Sequence, residues 1–272
     1  MPGSRKRREA PPLPLFISEP GRAGAELGMY LATRPLRPSL PVGDGQPVLL
    51  LPGLMADDAT FLPMRRVLRS LGYRTHGWQL GRNIGPTFAA VRGMEMRIDE
   101  LADRYGRPVS LIGWSLGGVY ARSMARRRPE HVRQVITLGS PIRMTHRGQT
   151  RATSTFERFA HLHVEKAEYP LEAGLEPLTA PATSIYSRCD GIVHWRACLD
   201  LPAPNAENIA IYSSHLGFGH HPAAIWAVAD RLAQPEHQWA PFRPPPMLRP
   251  LFPRPDQPAT PVAGRPETAA VA

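Results

Sequence analysis

The densest chemical signal in the chain is Gly113-Trp114-Ser115-Leu116-Gly117-Gly118. A serine flanked by glycines can act as a nucleophile when it stands at a sharp turn. The glycines let the two backbone segments approach closely and leave the hydroxyl projecting. The G-x-S-x-G spacing is common by chance, so its setting decides its weight. Here the apolar run Val109-Ser110-Leu111-Ile112 enters the turn, and residues 116–128 leave it with helical periodicity. Ser115 therefore falls between a strand and the N-terminus of a helix, where unpaired N–H groups and the helix dipole favour developing negative charge. A serine hydroxyl is weak on its own and needs a base, itself oriented by an acid. Downstream, Asp190 and Asp200 could supply the acid, and His194, His215, His220, His221 and His237 could supply the base.

The elements that would hold these residues follow an alternating rhythm from residue 47 onward. Short, largely apolar runs predict strands at 48–51, 109–112, 132–138, 183–186 and 208–212, and residues 73–80 read as a further strand. Segments of helical period predict helices at 58–71, 86–105, 116–128 and 222–233, the last with Pro222 at its favoured first position. Continuously apolar strands alternating with helices imply an α/β domain with a mostly parallel central sheet covered on both faces. Residues 141–180 interrupt the rhythm and carry a candidate helix near 153–166. We divide the chain into a proline-bearing lead-in at 1–40 with a short helix at 21–33, a domain at 41–240, and a tail at 241–272. Ten prolines fall between Pro241 and Pro266, so the tail reads as extended or disordered.

Over residues 47–234 the sequence resembles the α/β-hydrolase family in its lipase and esterase branch, which implies a small helical cap at about 141–180. The resemblance rests on the strand-serine-helix turn, on an Asp-Gly turn after a strand (Asp190-Gly191), on a histidine in the loop after the last strand (Ser213-Ser214-His215), and on Leu51-Pro52-Gly53-Leu54-Met55 after the first. It implies that Ser115 is the nucleophile, Asp190 the acid and His215 the base, in the family's chain order. Asp200 is the weaker acid. His220 and His221 can instead cap the final helix or line a pocket rim. The loop after the first strand often reads His-Gly-x in the family, with x donating its backbone N–H. Here Pro52 replaces that histidine, which leaves a backbone role open to Leu54, with Leu116 as the second donor of an oxyanion hole.

The implied chemistry is acyl transfer through an acyl-enzyme, with an ester as substrate and no cofactor. Leu138-Gly139-Ser140-Pro141 looks like the strand-end motif of lipase-like members and tilts the acyl group towards the apolar. Met55, Trp114, Trp195 and Phe218 are candidate pocket residues, and the aromatics read equally as core. Two other readings stay open: an acyltransferase using the same three residues, and a catalytically silent binding module.

Composition bounds the rest. The 272 residues can hold one sizeable core, and 33 Lys+Arg against 23 Asp+Glu leave a net charge of +10. Nearly all of that charge is arginine. The run Arg5-Lys6-Arg7-Arg8 could touch an anionic membrane, but no nucleic-acid motif accompanies it. Two cysteines, Cys189 and Cys198, make no disulfide framework, and no apolar run reaches membrane-spanning length. A cytoplasmic protein is the expectation. Asp57 and Asp58 read as helix-capping residues rather than as a metal pair.

Overall fold

A computed structural model of the chain describes residues 10–165, 176–236 and 238–256. Six strands form one sheet: β1 (Pro47–Leu51), β2 (Arg74–Gly77), β3 (Val109–Trp114), β4 (Val132–Leu138), β5 (Ala182–Ser187) and β6 (Ala206–Ile211). Their order is β2-β1-β3-β4-β5-β6, and every neighbouring pair is parallel. The expected mostly parallel sheet is thus wholly parallel. Each continuously apolar strand packs on both sides, with its side chains sorted by parity. Val48 and Leu50 of β1, Ile112 of β3 and Ile136 of β4 face one core with α3 (Leu62–Ser70) and α7 (Pro222–Leu232). Leu49 and Leu51, Leu111 and Val135 face the other, with α4 (Phe88–Tyr105) and α5 (Leu116–Arg127).

The sheet positions the chemistry through its carboxyl edge. In register, Leu51 pairs with Gly113 and Trp114 with Leu138. The loops after β1, β3, β5 and β6 therefore leave from one rim, carrying Leu54, Ser115, Asp190 and His215 respectively. Close approach at that rim depends on Gly117. A Cβ there would lie 2.0 Å from the Leu51 carbonyl oxygen, and one on Gly113 would lie 2.2 Å from the carbonyl of Gly117. Both obstacles are backbone, which cannot swing aside. Gly117→Ala is accordingly expected to destabilise the fold by roughly 3 kcal/mol, the upper end of overpacking costs. Thermal unfolding against wild type measures it, and an unchanged Tm would contradict the packing described.

Two expectations about the ends need correcting. The lead-in is not a polar stretch with one short helix. It forms α1 (Leu13–Ile17) and α2 (Glu19–Ala32), and α2 packs against α7. Its inward face is not built from its aliphatic residues. Glu19, Glu26 and Tyr30 turn inward, whereas Leu27, Met29 and Leu31 are 42%, 43% and 54% exposed. The two inward carboxylates meet backbone N–H groups, whereas Tyr30 joins the apolar core.

Residues 241–256, read as extended or disordered, pack on the domain. Phe242 and Phe252 lie against the core with ring centroids 4.9 Å apart. Asp256 accepts a hydrogen bond from Tyr186 Oη at 2.8 Å and from Arg188 Nε at 2.9 Å. Proline content had masked two partly buried aromatic anchors. The tail beyond residue 256 and the basic run Arg5–Arg8 lie outside the described residues.

Within the expected cap at 141–180, α6 (Thr153–Arg158) and a 3₁₀ turn at Ala160–Leu162 replace the single helix expected near 153–166. Residues 166–175 lie outside the described set. His163 ties the cap to the loop before α4, with its Nε2 2.9 Å from the Ile84 carbonyl. No helix among the described residues is long and apolar enough to cross a membrane.

Candidate active site

Ser115 stands at φ 53° and ψ −122°, a backbone state that costs a non-glycine residue on the order of 1–3 kcal/mol. Its surroundings hold it there. Its N–H donates to the Leu138 carbonyl at 2.9 Å, extending the β3–β4 ladder by one rung, and its own carbonyl accepts the Gly118 N–H at 3.0 Å. The turn after β1 lies directly against it: a Cβ on Gly53 would be 3.1 Å from Ser115 Cβ. Ser115 Oγ makes no hydrogen bond to the described residues.

The Leu54 and Leu116 N–H groups, from the β1 loop and the first turn of α5, donate to no protein acceptor among the described residues. An α-helix leaves its first N–H groups without intrahelical partners. Buried Asn83 holds the β1 loop in shape, a role the sequence reading missed. Its Nδ2 donates to the Pro52 carbonyl at 2.8 Å, its N–H to Ala56 at 2.8 Å, and its carbonyl accepts the Met55 N–H at 2.7 Å. Met55 itself sits at φ 63°, 40% exposed at the turn.

Asp190 and His215, both 3% exposed, meet at 2.6 Å between Oδ2 and Nδ1. A carboxylate can only accept, so His215 Nδ1 carries the proton and Nε2 is left as the acceptor. The other carboxylate oxygen of Asp190 accepts the N–H groups of Ile192 at 2.8 Å and Val193 at 2.7 Å. Trp114, the residue before Ser115, donates from its indole N–H to the His215 carbonyl at 3.0 Å, with the two rings 5.4 Å apart. Phe218 meets the imidazole edge-on at 6.3 Å. Trp114 and Phe218 are thus buried packing around His215. Trp195 stacks instead on Tyr186 at 6.2 Å, beneath the Arg188 and Arg196 guanidinium groups. No hydrogen bond joins Ser115 to His215 in this structure.

The alternatives are engaged elsewhere. Asp200 forms a buried two-point ion pair with Arg122 of α5, at 2.5 and 3.1 Å. His220 Nε2 lies 2.9 Å from the Ala23 carbonyl. His221 caps α7, its Nδ1 accepting the Ala223 N–H at 3.2 Å. Asp57 caps the turn at 58–61 by accepting the Ala59 N–H at 2.9 Å. Asp58 departs from the capping expectation: it accepts the N–H groups of Trp78 and Gln79, tying that turn to the end of β2. No cluster that could hold a metal ion occurs among the described residues.

Burial, with His220 as a lesser cause, pushes the His221 pKa down to about 4. The unfolded chain would protonate this histidine near pH 6.5, and the folded chain would not. Stability from this group is therefore complete above about 6.5 and is lost as pH falls towards about 4. His221→Asn keeps a capping oxygen but cannot titrate. Over that interval wild type is expected to lose more Tm than the variant, and parallel Tm–pH curves would refute the assignment.

Two further residues, Glu19 and Glu26, lie outside the sequence reading. Glu19 Oε1 accepts the N–H groups of Gly191 at 2.8 Å and His215 at 3.0 Å, and its Oε2 accepts that of Leu216 at 3.0 Å. Glu26 accepts the Ser214 N–H at 2.7 Å and hydroxyl at 2.6 Å. The available signal was two carboxylates seven positions apart in a helix otherwise built largely of glycine, alanine and apolar residues.

No protein-family model matches the chain. A pimeloyl-[acyl-carrier protein] methyl ester esterase of Shewanella woodyi is 30% identical over 99 residues, a stretch covering 36% of this chain and 38% of that relative. The protein of the same name from Aliivibrio salmonicida is 25% identical over 251 residues, covering 72% of this chain and 95% of its own. Among solved structures, Aspergillus fumigatus lipase B superposes with a TM-score of 0.58 at 15% identity, covering 73% of this chain and 57% of that one. At that identity the likeness speaks for the fold, and it agrees with the parallel sheet flanked by helices. The chain has the α/β-hydrolase fold.

Proposed function

We propose that the protein is a serine esterase in which Ser115 is the nucleophile, His215 the base and Asp190 the acid. The observation that carries this reading is the buried 2.6 Å hydrogen bond between Asp190 and His215, locked beside the Ser115 turn by the Trp114 indole. His215 Nε2 takes the hydroxyl proton as Ser115 Oγ adds to the ester carbonyl. The oxyanion is stabilised by the N–H groups of Leu54 and Leu116. Collapse of the tetrahedral intermediate expels the alcohol, which leaves with the proton from His215. Water then repeats the sequence and releases the acid. Asp190 stays ionised throughout and stabilises the imidazolium formed in each half-reaction.

The substrate is a small-molecule ester. An apolar acyl group fits Leu54, Met55 and Leu116, which are partly exposed around the oxyanion donors. Methyl esters, free or carried on an acyl-carrier protein, belong in the first substrate set because both curated relatives are named for that activity. The test is turnover of p-nitrophenyl esters from acetate to palmitate beside an acyl methyl ester, with fluorophosphonate labelling of Ser115. Serine-dependent turnover supports the reading. Labelling with no hydrolysis, but with transfer to an added alcohol, would move it to an acyltransferase. Absence of labelling would reduce the protein to a silent binding module.

A further inference from the structure

Taking Asp190 and His215 as acid and base, we propose that Glu19 is a positioning residue for both, seconded by Glu26, and that α2 is the element that sets the geometry of the pair. Asp190 and His215 stand on loops after different strands, 25 residues apart, which meet through the pair itself and through the Ser213 N–H on Ser187 Oγ at 3.0 Å. Glu19 joins them. One carboxylate oxygen takes the N–H groups of Gly191, next to the acid, and of His215 itself, and the other takes that of Leu216. Arg22, one turn further along α2, pairs with Glu19 at 2.7 Å and donates to the Cys189 carbonyl at 2.7 Å. Asp190 is thereby held from α2 on both its chain neighbours. Glu26 then fixes Ser214 on the far side of His215, and the Ser214 hydroxyl accepts the Gly217 N–H at 3.0 Å.

The consecutive N–H groups of residues 214, 215 and 216 thus all end on α2 carboxylates, in a loop almost 200 residues away in sequence. Glu19 is 2% exposed and Glu26 8%. A carboxylate so buried is costly unless its hydrogen bonds are complete, so each fixes its loop to one arrangement. A glutamine at 19 cannot substitute. Its single carbonyl oxygen can serve one side, and its NH2 group then faces an N–H donor.

The experiment measures Glu19→Gln in the full chain by three readouts: kcat and KM on the best ester, the fluorophosphonate labelling rate, and the downfield proton signal of the His215–Asp190 bond in NMR. Misplacement of the pair by a fraction of an ångström is expected to lower kcat about a hundredfold with KM little changed. The downfield signal should broaden or vanish. Glu95→Gln is the control, because Glu95 is an equally buried carboxylate (2% exposed) that pairs with Arg92 and Arg127 on the α4–α5 side. It is expected to lower Tm while retaining kcat and the signal.

A folded Glu19→Gln protein with unchanged kcat and an intact signal would overturn the proposal, as would a fall in Tm alone. Should Glu19→Gln not fold, Glu26→Gln carries the test with the same expected direction, and unchanged kcat there overturns it. The two readings separate cleanly. A wild-type protein that fails to label at Ser115 refutes the esterase, whereas the NMR signal still decides whether α2 positions the pair.

Discussion

Ser115→Ala is expected to lower kcat on the best ester by on the order of a millionfold, the loss seen when a serine nucleophile is removed from such a site. The expectation is sharp because the substitution asks little of the fold. Alanine keeps the Cβ that already occupies the strained turn at φ 53°. The lost hydroxyl has no hydrogen-bond partner among the described residues, so none is left unpaired. Tm should stay close to wild type, and circular dichroism should overlay. Stopped or overnight assays would then find only the residual rate supplied by the oxyanion donors and binding. A folded variant that still turns over ester at more than a trace would place the nucleophile elsewhere and remove the basis of the proposed mechanism.

Asp190→Asn should lower kcat by about ten-thousandfold, through the tautomer of His215 rather than through its position. The argument comes from the two sides of the Asp190 carboxylate. One oxygen accepts the N–H groups of Ile192 and Val193, and the other accepts His215 Nδ1–H. An asparagine turns its carbonyl towards the two N–H donors, since the opposite flip would bury its NH2 group against them. Its NH2 then faces His215 Nδ1, which must become the acceptor, so Nε2 carries the proton and can no longer take one from Ser115. The variant should be folded, slow at neutral pH, and slow to label with fluorophosphonate. Nitrogen chemical shifts of His215 would show the exchanged tautomer. Near-normal turnover would exclude Asp190 as the acid. Asp200, tied to Arg122, would be the next to mutate.

The Glu19 hypothesis gives these effects a structural hierarchy. Ser115 and Asp190 act on the proton and the bond. Glu19 and Glu26 act one step back, on the loops that bring Asp190 and His215 into register. For that reason the α2 substitutions are expected to cost less than the direct ones and to leave KM nearly alone.

What the sequence determined by itself was whatever depends on neighbours within a few residues. Strand and helix order followed from apolar runs alternating with 3.6-residue periodicity, because each parallel strand buries both faces and each helix one. The Ser115 turn was legible because Gly113 is required against Gly117 and Gly118 within the same strand-turn-helix unit, although Gly117 itself is required against Leu51 of β1. Tertiary structure alone decided what depends on chain returning from far away. Only the fold joins Asp190 to His215 while giving Asp200 to Arg122, His220 to Ala23 and His221 to the α7 cap. Sequence position ranks such candidates, but a hydrogen bond of 2.6 Å depends on how loops from two strands converge. Proline content likewise made 241–256 read as a loose tail until Phe242 and Phe252 were found on the core. The inward face of α2 was hidden for the deepest reason. Its carboxylates end mostly on backbone N–H groups, and those carry no side-chain signature for a sequence to show.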